Sequence, residues 1–310
     1  MDGIFILSLA LSIDLILGDP PTYLHPVGWM GKLISLLERL APKSGANAQI
    51  LYGTGIVVLG VALFSLPAYF ILAYLDGVSR IAYIIVGALL LKSVFTIVGL
   101  RRAALQIRDR LRSNDMAGAR SKMGALVSRN TEGLDEPLII AATVESVAEN
   151  TSDSIVAPLF WFMLLGIPGA VAYRMVNTFD SMIGYRGKYE YLGKSAARLD
   201  DVLNFIPARI TGLMIVLAAF FARKNARSAW KIMLRDHAKT ESPNAGWPMS
   251  AAAGALGIEL EKVGHYKLGE ANSTLTPEKI TSALLLMYLV ALVWALLCFV
   301  IAGVDYVLAS

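Results

Sequence analysis

The chain has 310 residues, 56% of them hydrophobic and 17% charged, with a formal net charge of +4 and a mean hydropathy of +0.58. A soluble domain carries about 25% charged residues, so this balance, with apolar runs close to a membrane thickness, excludes an ordinary soluble enzyme. The runs are continuous rather than alternating, which favours helices over a closed barrel, and the single cysteine, Cys298, excludes a disulfide or cysteine–zinc framework within the chain.

Residues 4–17 form a short apolar segment carrying Asp14. It has the look of a signal-peptide core, but it lacks a basic flank and a small-x-small cleavage site, so it is read as retained. Gly18 and Pro20-Pro21 stop it. A Pro-rich stretch with His25 leads to an amphipathic helix at 31–40. Residues 50–75 are a clear span, 76–80 a turn, and 81–100 a second clear span. Residues 101–150 begin with Arg101, Arg102, Arg108, Arg110 and Arg112, which predicts a cytoplasmic segment that also meets anionic lipid. Its last part, 136–150, reads as a semi-polar helix. Residues 154–173 and 202–222 are apolar but interrupted, by Pro158 and Gly166-Ile167-Pro168-Gly169 in the first and by Pro207 and Arg209 in the second. Broken helices at membrane depth are tolerated where they line a cavity. Reading them as re-entrant keeps the polar stretch 174–201 inside; two full crossings would put it outside. Residues 223–276 are a second cytoplasmic segment, and 280–302 a clear span. The prediction is therefore an all-α, polytopic integral membrane protein, one membrane-embedded domain over 1–310. It has broken or re-entrant helices, cytoplasmic amphipathic helices and the bilayer as its partner.

The chemistry concentrates in 145–209, where ionisable groups stand among apolar runs. Such groups near hydrocarbon mark functional sites by default. Glu145, Glu149 and Asp153 are spaced i, i+4, i+8, which stacks them on one face of a continuous helix. Like charges there repel and call for Mg²⁺ or an arginine cluster; the alternatives are a solvated face and, for Asp153, a helix cap. Arg174, Arg186 and Lys188 suit phosphate oxygens or interfacial anchoring. Asp180 adds a second carboxylate. Asp200-Asp201, followed by Asn204 and Arg209, gives a third acidic point or a helix N-terminal pair. Ser242-Pro243-Asn244-Ala245-Gly246-Trp247-Pro248 is a rigid loop entering a helix of small residues, where a flat aromatic can stack on a large ring; a structural turn is the alternative. No Walker loop or Gly-x-Ser-x-Gly elbow is present. The basic segments flank spans without aromatic interleaving, so no nucleic-acid partner is expected.

These residues carry a resemblance. Leu17-Gly18-Asp19-Pro20 with His25-Pro26-Val27, Val127-Ser128-Arg129-Asn130-Thr131, Glu149-Asn150, Asp153-Ser154, Ala157-Pro158 and Tyr173-Arg174 resemble segments of the CobD/CbiB family. So do Asn177-Thr178-Phe179-Asp180-Ser181-Met182, Gly184-Tyr185, Ala197-Arg198-Leu199-Asp200-Asp201, Asn204, Pro207-Ala208-Arg209 and the loop 242–248. That family is adenosylcobinamide-phosphate synthase of cobalamin biosynthesis. The resemblance implies an ATP-dependent acid–amine ligase. It joins an aminopropanol, as its O-phosphate, to the free propionate carboxylate of adenosylcobyric acid, by way of an acyl phosphate. It implies ATP and Mg²⁺ as cofactors and a corrinoid and an amino-alcohol phosphate as substrates. It places the protein in the cell membrane, with the site facing the cytoplasm and other cobalamin-pathway membrane enzymes as candidate partners. On this reading Glu149, Asp153, Arg174 and Asp180 are catalytic. Asp19, His25, Arg129, Thr131, Asn177, Tyr185, Arg186, Arg198, Arg209, Asn244 and Trp247 bind substrate, and Glu145, Glu149, Asp153, Asp180 and Asp201 are Mg²⁺ ligands. The chain departs from the family pattern at Asn130, where Asp is usual, at Met249, where Glu is common, and at Gly28-Trp29. The other classes kept open are a transporter and a non-catalytic accessory membrane protein.

Overall fold

A computed structural model describes residues 2–21, 23–124, 126 and 131–309. Its helices are α1 Asp2–Leu17, α2 Pro26–Arg39, α3 Ala46–Val78, α4 Arg80–Lys92, α5 Val98–Arg112, α6 Met116–Gly124 and α7 Glu136–Thr151. A π-helical stretch, Ser152–Val156, leads into α8 Ala157–Ile183. Then come α9 Lys194–Phe221, α10 Ala226–Asp236, a 3₁₀ turn His237–Lys239, α11 Gly246–Leu256 and, after a hairpin, α12 Pro277–Ala309. The hairpin pairs β1 Glu259–Lys262 with β2 Tyr266–Gly269, Leu260 facing Leu268. The fold is otherwise all α, as the composition predicts. Among the described residues four stretches are long and apolar enough to cross a membrane: Ala46–Val78, Glu136–Ile183, Lys194–Phe221 and Pro277–Val304.

The expected span at 81–100 is replaced by something else. Helix α4 ends at Lys92, and α5 begins only at Val98. The segment between them, Ser93-Val94-Phe95-Thr96-Ile97, is apolar enough to look like a span. It contains β-branched residues that favour a helix least among apolar types.

The chain divides into two compact units. Unit 1 comprises the chain as far as Thr96, with Ala157–Leu203 and Leu297 onward; unit 2 comprises Ile97–Val156 and Asn204–Leu296. In unit 1, Ile6, Leu7 and Ala10 of α1 and Ala88 and Leu91 of α4 are fully buried, as are Tyr173 and Phe179 of α8. The opposite side of α3 leaves Val58, Leu63, Leu66 and Phe70 exposed, as a lipid-facing surface requires. Helix α8 is broken at Gly166, whose φ of 67° and ψ of −164° are open to glycine alone. The interruption anticipated at 166–169 is thus a kink within a membrane-length helix. Gly193 closes the turn between α8 and α9, where a Cβ would sit 1.7 Å from the Ile183 carbonyl oxygen. In α9, Pro207 has no N–H for the carbonyl of Leu203; the Trp161 indole donates to that oxygen instead, at 3.2 Å.

In unit 2, α5 buries Leu100, Ala104, Ile107 and Leu111, the 3.6-residue stripe of an amphipathic helix. Helix α7, expected as a semi-polar cytoplasmic helix, is core: every residue from Ile139 to Ala148 is buried. The hairpin is tied down by Asp236, which is fully buried. It accepts from the Gly269 backbone at 2.8 Å, from both faces of the Arg235 fork and from Lys239 at 2.6 Å. Burial raises this carboxyl, but the hydrogen bonds from Arg235, Lys239 and Gly269 and the Arg235 charge outweigh it and hold the group far below the usual range. A depressed carboxyl stabilises the fold above its unfolded pKa of about 3.9 and loses that contribution as pH falls below it. Asp236→Asn is expected to lower stability at neutral pH by about 1–3 kcal/mol and to flatten the decline in melting temperature between pH 5 and 3, read by thermal unfolding in detergent.

Candidate functional site

The carboxylates of unit 2 sit on one helical run. Glu145 is 5% exposed, and Glu149 and Asp153 are half-buried. The solvated-face alternative therefore fails for Glu145. The cap alternative fails for Asp153, because α7 passes through the π stretch into α8 without an end to cap. The i→i+5 bonding of that stretch puts more residues into a turn and so narrows the angular step, which shifts Asp153 off the strict face that Glu145 and Glu149 share. Such π turns recur at functional sites. Among the described residues no group of three or more acidic, His or Cys side chains lies together as a metal cage. Of the five expected Mg²⁺ ligands, Glu145, Glu149 and Asp153 belong to unit 2, and Asp180 and Asp201 to unit 1.

The second feature of unit 2 is a layered cluster. The Arg209 guanidinium carbon lies 3.5 Å from the Phe205 ring centre and 4.9 Å from that of Trp247. The Trp247 ring in turn lies 4.0 Å from His237. Arg209 Nη1 donates to the Phe205 carbonyl at 2.6 Å and to Asn244 Oδ1 at 3.2 Å. Asn244, 5% exposed, is thereby tied to Arg209, and its backbone carbonyl accepts from the Trp247 backbone N–H at 3.1 Å. The small-residue helix behind it is not a ligand surface. Residues of α11 from Gly246 to Leu256 are buried apart from the half-buried Trp247, and a Cβ on Gly254 would meet the Ser228 carbonyl at 2.6 Å. Met249, a departure from the family pattern, is buried there at 2%.

In unit 1 the expected residues fall into two groups. His25 caps α2, its Nδ1 accepting from the Val27 N–H at 3.2 Å. An acceptor Nδ1 places the proton of the neutral ring on Nε2, which lies 3.9 Å from Asp19 Oδ1. Burial lowers the His25 pKa; the Asp19 charge opposes this, and the charges of Lys92 and Arg174 add to it. Burial raises the Asp19 carboxyl, but Lys92, Thr96 and His25 together hold it below its ordinary value. Lys92, 4% exposed, reaches Asp19 at 2.5 Å and the fully buried Asp14 at 2.9 Å, and Thr96 donates to Asp19 Oδ2 at 2.7 Å. The other group is a relay on α8 and α9. Arg174 Nη1 donates to Asn177 Oδ1 at 3.3 Å, and Asn177 Nδ2 donates to Asp200 Oδ1 at 3.2 Å. Asp200 is 8% exposed and Asp201 half-buried. They are not a helix N-terminal pair, because α9 starts at Lys194, two turns earlier. Asp180 is half-buried on the same helix as Arg174.

Other expected contacts are more peripheral. Tyr185, Arg186 and Arg198 are exposed, and the Tyr185 hydroxyl donates to the Ser181 carbonyl. Lys188 is committed to Glu38 at 3.1 Å. Thr131 is buried in unit 2 and donates to the Arg120 carbonyl at 3.0 Å. Arg129 and Asn130 lie outside the described residues.

The family model described as CobD/Cbib protein matches residues 7–304. The chain belongs to the CobD/CbiB family. It is 54% identical over 306 residues to the cobalamin biosynthesis protein CobD of Dehalococcoides mccartyi, covering 99% of this chain and 98% of that one. It is 40% identical to the probable cobalamin biosynthesis protein CobD of Methanothermobacter thermautotrophicus, over 96% of this chain and 97% of that one. It is also 42% identical to the Geobacter metallireducens protein of the same name, over 81% and 79%. No solved structure matches. Membership gives this CobD/CbiB protein a role in cobalamin biosynthesis. The residues that sequence reasoning left out are Lys92 and Thr96, while Asp14 was noted within its apolar run but given no site role. Their signal was a single lysine inside an otherwise apolar run, the kind of intramembrane charge that calls for a named partner.

Proposed function

We propose that this CobD/CbiB protein joins an aminopropanol, as its O-phosphate, to the free propionate carboxylate of adenosylcobyric acid. The reaction is an ATP- and Mg²⁺-dependent amide ligation at the cytoplasmic face of the cell membrane. One observation carries the reading. In a chain matched by the family model over residues 7–304, the motif residues Asp200, Asn177, Asn204 and Asn244 are buried at 8% exposure or less on or beside membrane-length helices. Burial of polar groups is costly unless they are partnered or used.

The donor set fits the cofactor. Carboxylate oxygens suit Mg²⁺, and Glu149 and Asp153, with the buried Glu145 behind them, would hold it. Bound Mg-ATP supplies the phosphoryl group that makes a carboxylate oxygen a leaving group. The rest falls to the chain's own side chains. Within unit 1, Asn177 accepts from the Arg174 guanidinium at 3.3 Å and so orients a planar donor suited to phosphate or carboxylate oxygens. Asp180 orients the incoming amine as a hydrogen-bond acceptor. His25, held as the Nε2–H tautomer, is a donor and not a base. The apolar helices exclude water that would compete with the amine.

Purified protein in nanodiscs, given adenosylcobyric acid, aminopropanol O-phosphate and Mg-ATP, is expected to yield the amide by mass spectrometry with one ADP per product. Absence of amide in protein that is folded and supplied with all three overturns the proposal. Arg174→Ala and, separately, Asp180→Asn are expected to cut turnover about 10²-fold or more with normal membrane insertion. Wild-type rates in both would remove unit 1 from the chemistry.

A further inference from the structure

We propose that the Arg209 guanidinium, layered on Phe205 and Trp247, is a preorganised receptor for the phosphate group of a substrate. Among the described residues no carboxylate pairs with Arg209; its contacts are the two rings, the Phe205 carbonyl and Asn244. Both hydrogen bonds use Nη1, so Nε and Nη2, one edge of the planar fork, remain uncommitted. That edge is the one that binds phosphate oxygens in pairs. A cation within a membrane-length helix, half-buried and without a counter-ion, is costly unless an anion arrives. Its guanidinium is held in place by contact with the Phe205 and Trp247 rings and by the hydrogen bond to Asn244.

A second observation points the same way. The Trp247 Nε1–H is buried and has no partner. A buried donor left unmade costs roughly 1–3 kcal/mol, and a phosphate oxygen would satisfy it. His237 backs the platform: its ring lies 4.0 Å from Trp247, and its Nδ1, 3.1 Å from the Met233 and Leu234 carbonyl oxygens, carries the proton because carbonyls only accept.

The substrate identities rest on the proposed ligation; the anion affinity does not. The phosphate has two sources, the amino-alcohol phosphate and the nucleotide. Titration calorimetry of wild type, Arg209→Met, Arg209→Lys and Trp247→Phe in nanodiscs, with aminopropanol O-phosphate, aminopropanol and ATP as separate probes, tests it. The expected result is about 10- to 100-fold weaker binding of one phosphorylated probe in Arg209→Met. Arg209→Lys, which keeps the charge but not the fork, should show most of that loss. Trp247→Phe should show a smaller loss, and aminopropanol no change. The probe that weakens names the source. Equal affinity of wild type and Arg209→Lys for both phosphorylated probes overturns the receptor, and Arg209→Lys decides the matter if Arg209→Met does not fold. Amide formation with unchanged KM values in the variants sinks the receptor alone; phosphate binding without amide formation sinks the ligation alone.

Discussion

Asp153→Asn and Glu149→Gln are each expected to lower amide synthesis by about 10²–10³-fold while leaving folding and membrane insertion intact. The substitutions keep shape and remove one negative charge from a helical run whose neighbour Glu145 is already buried at 5% exposure. If these carboxylates hold Mg²⁺, the loss should be relieved in part by raising the Mg²⁺ concentration, because the defect is in affinity. It should also appear as weaker Mg²⁺ dependence of nucleotide binding. A helix-capping role, which the sequence alone leaves open for Asp153, would instead lower the melting temperature, since a lost cap costs about 1 kcal/mol. The uninterrupted passage of α7 through the π stretch predicts that the melting temperature stays put. Wild-type turnover in both variants would remove the run from the site.

Lys92→Met is expected to be the most destabilising single change in unit 1. Lys92 is 4% exposed between Asp14, which is fully buried, and Asp19. Removing one member of a buried charge set leaves the others uncompensated, at a cost of about 3–5 kcal/mol. The Asp14→Asn, Lys92→Met double variant should recover part of that loss, because two apposed charges vanish together. The measurement is a double-mutant cycle by thermal unfolding in detergent. Strictly additive losses would show that the two groups are not coupled. With Asp19 no longer held by the ammonium, the His25 environment should change as well, readable as a shifted imidazole titration by NMR.

The all-α membrane character was legible because continuous apolar runs and few charges leave little choice once the backbone must satisfy itself. The motif residues were legible as polar exceptions in those runs. What escaped was local geometry. Ser93–Ile97 reads as span because an apolar, β-branched linker and an apolar helix have the same hydropathy; only the lone Lys92 betrayed it. Asp200-Asp201 mimics a helix start, yet α9 begins at Lys194 after the tight Gly193 turn, so the pair sits inside the helix and Asp200 meets Asn177. The π turn at Ser152–Val156 has no period of its own in so short a stretch. The hairpin also escaped: Glu259-Leu260-Glu261 and Tyr266-Lys267-Leu268 alternate around Gly264, but so short and polar a stretch reads as a loop.

The ligation itself is tested most directly by the fate of the carboxylate oxygens. Adenosylcobyric acid labelled with ¹⁸O in its free propionate carboxylate is incubated with the protein, aminopropanol O-phosphate and Mg-ATP. The account predicts amide product, ADP, and one ¹⁸O per turnover in the released inorganic phosphate. Amide formed without label in the phosphate, or no amide with folded protein, contradicts it.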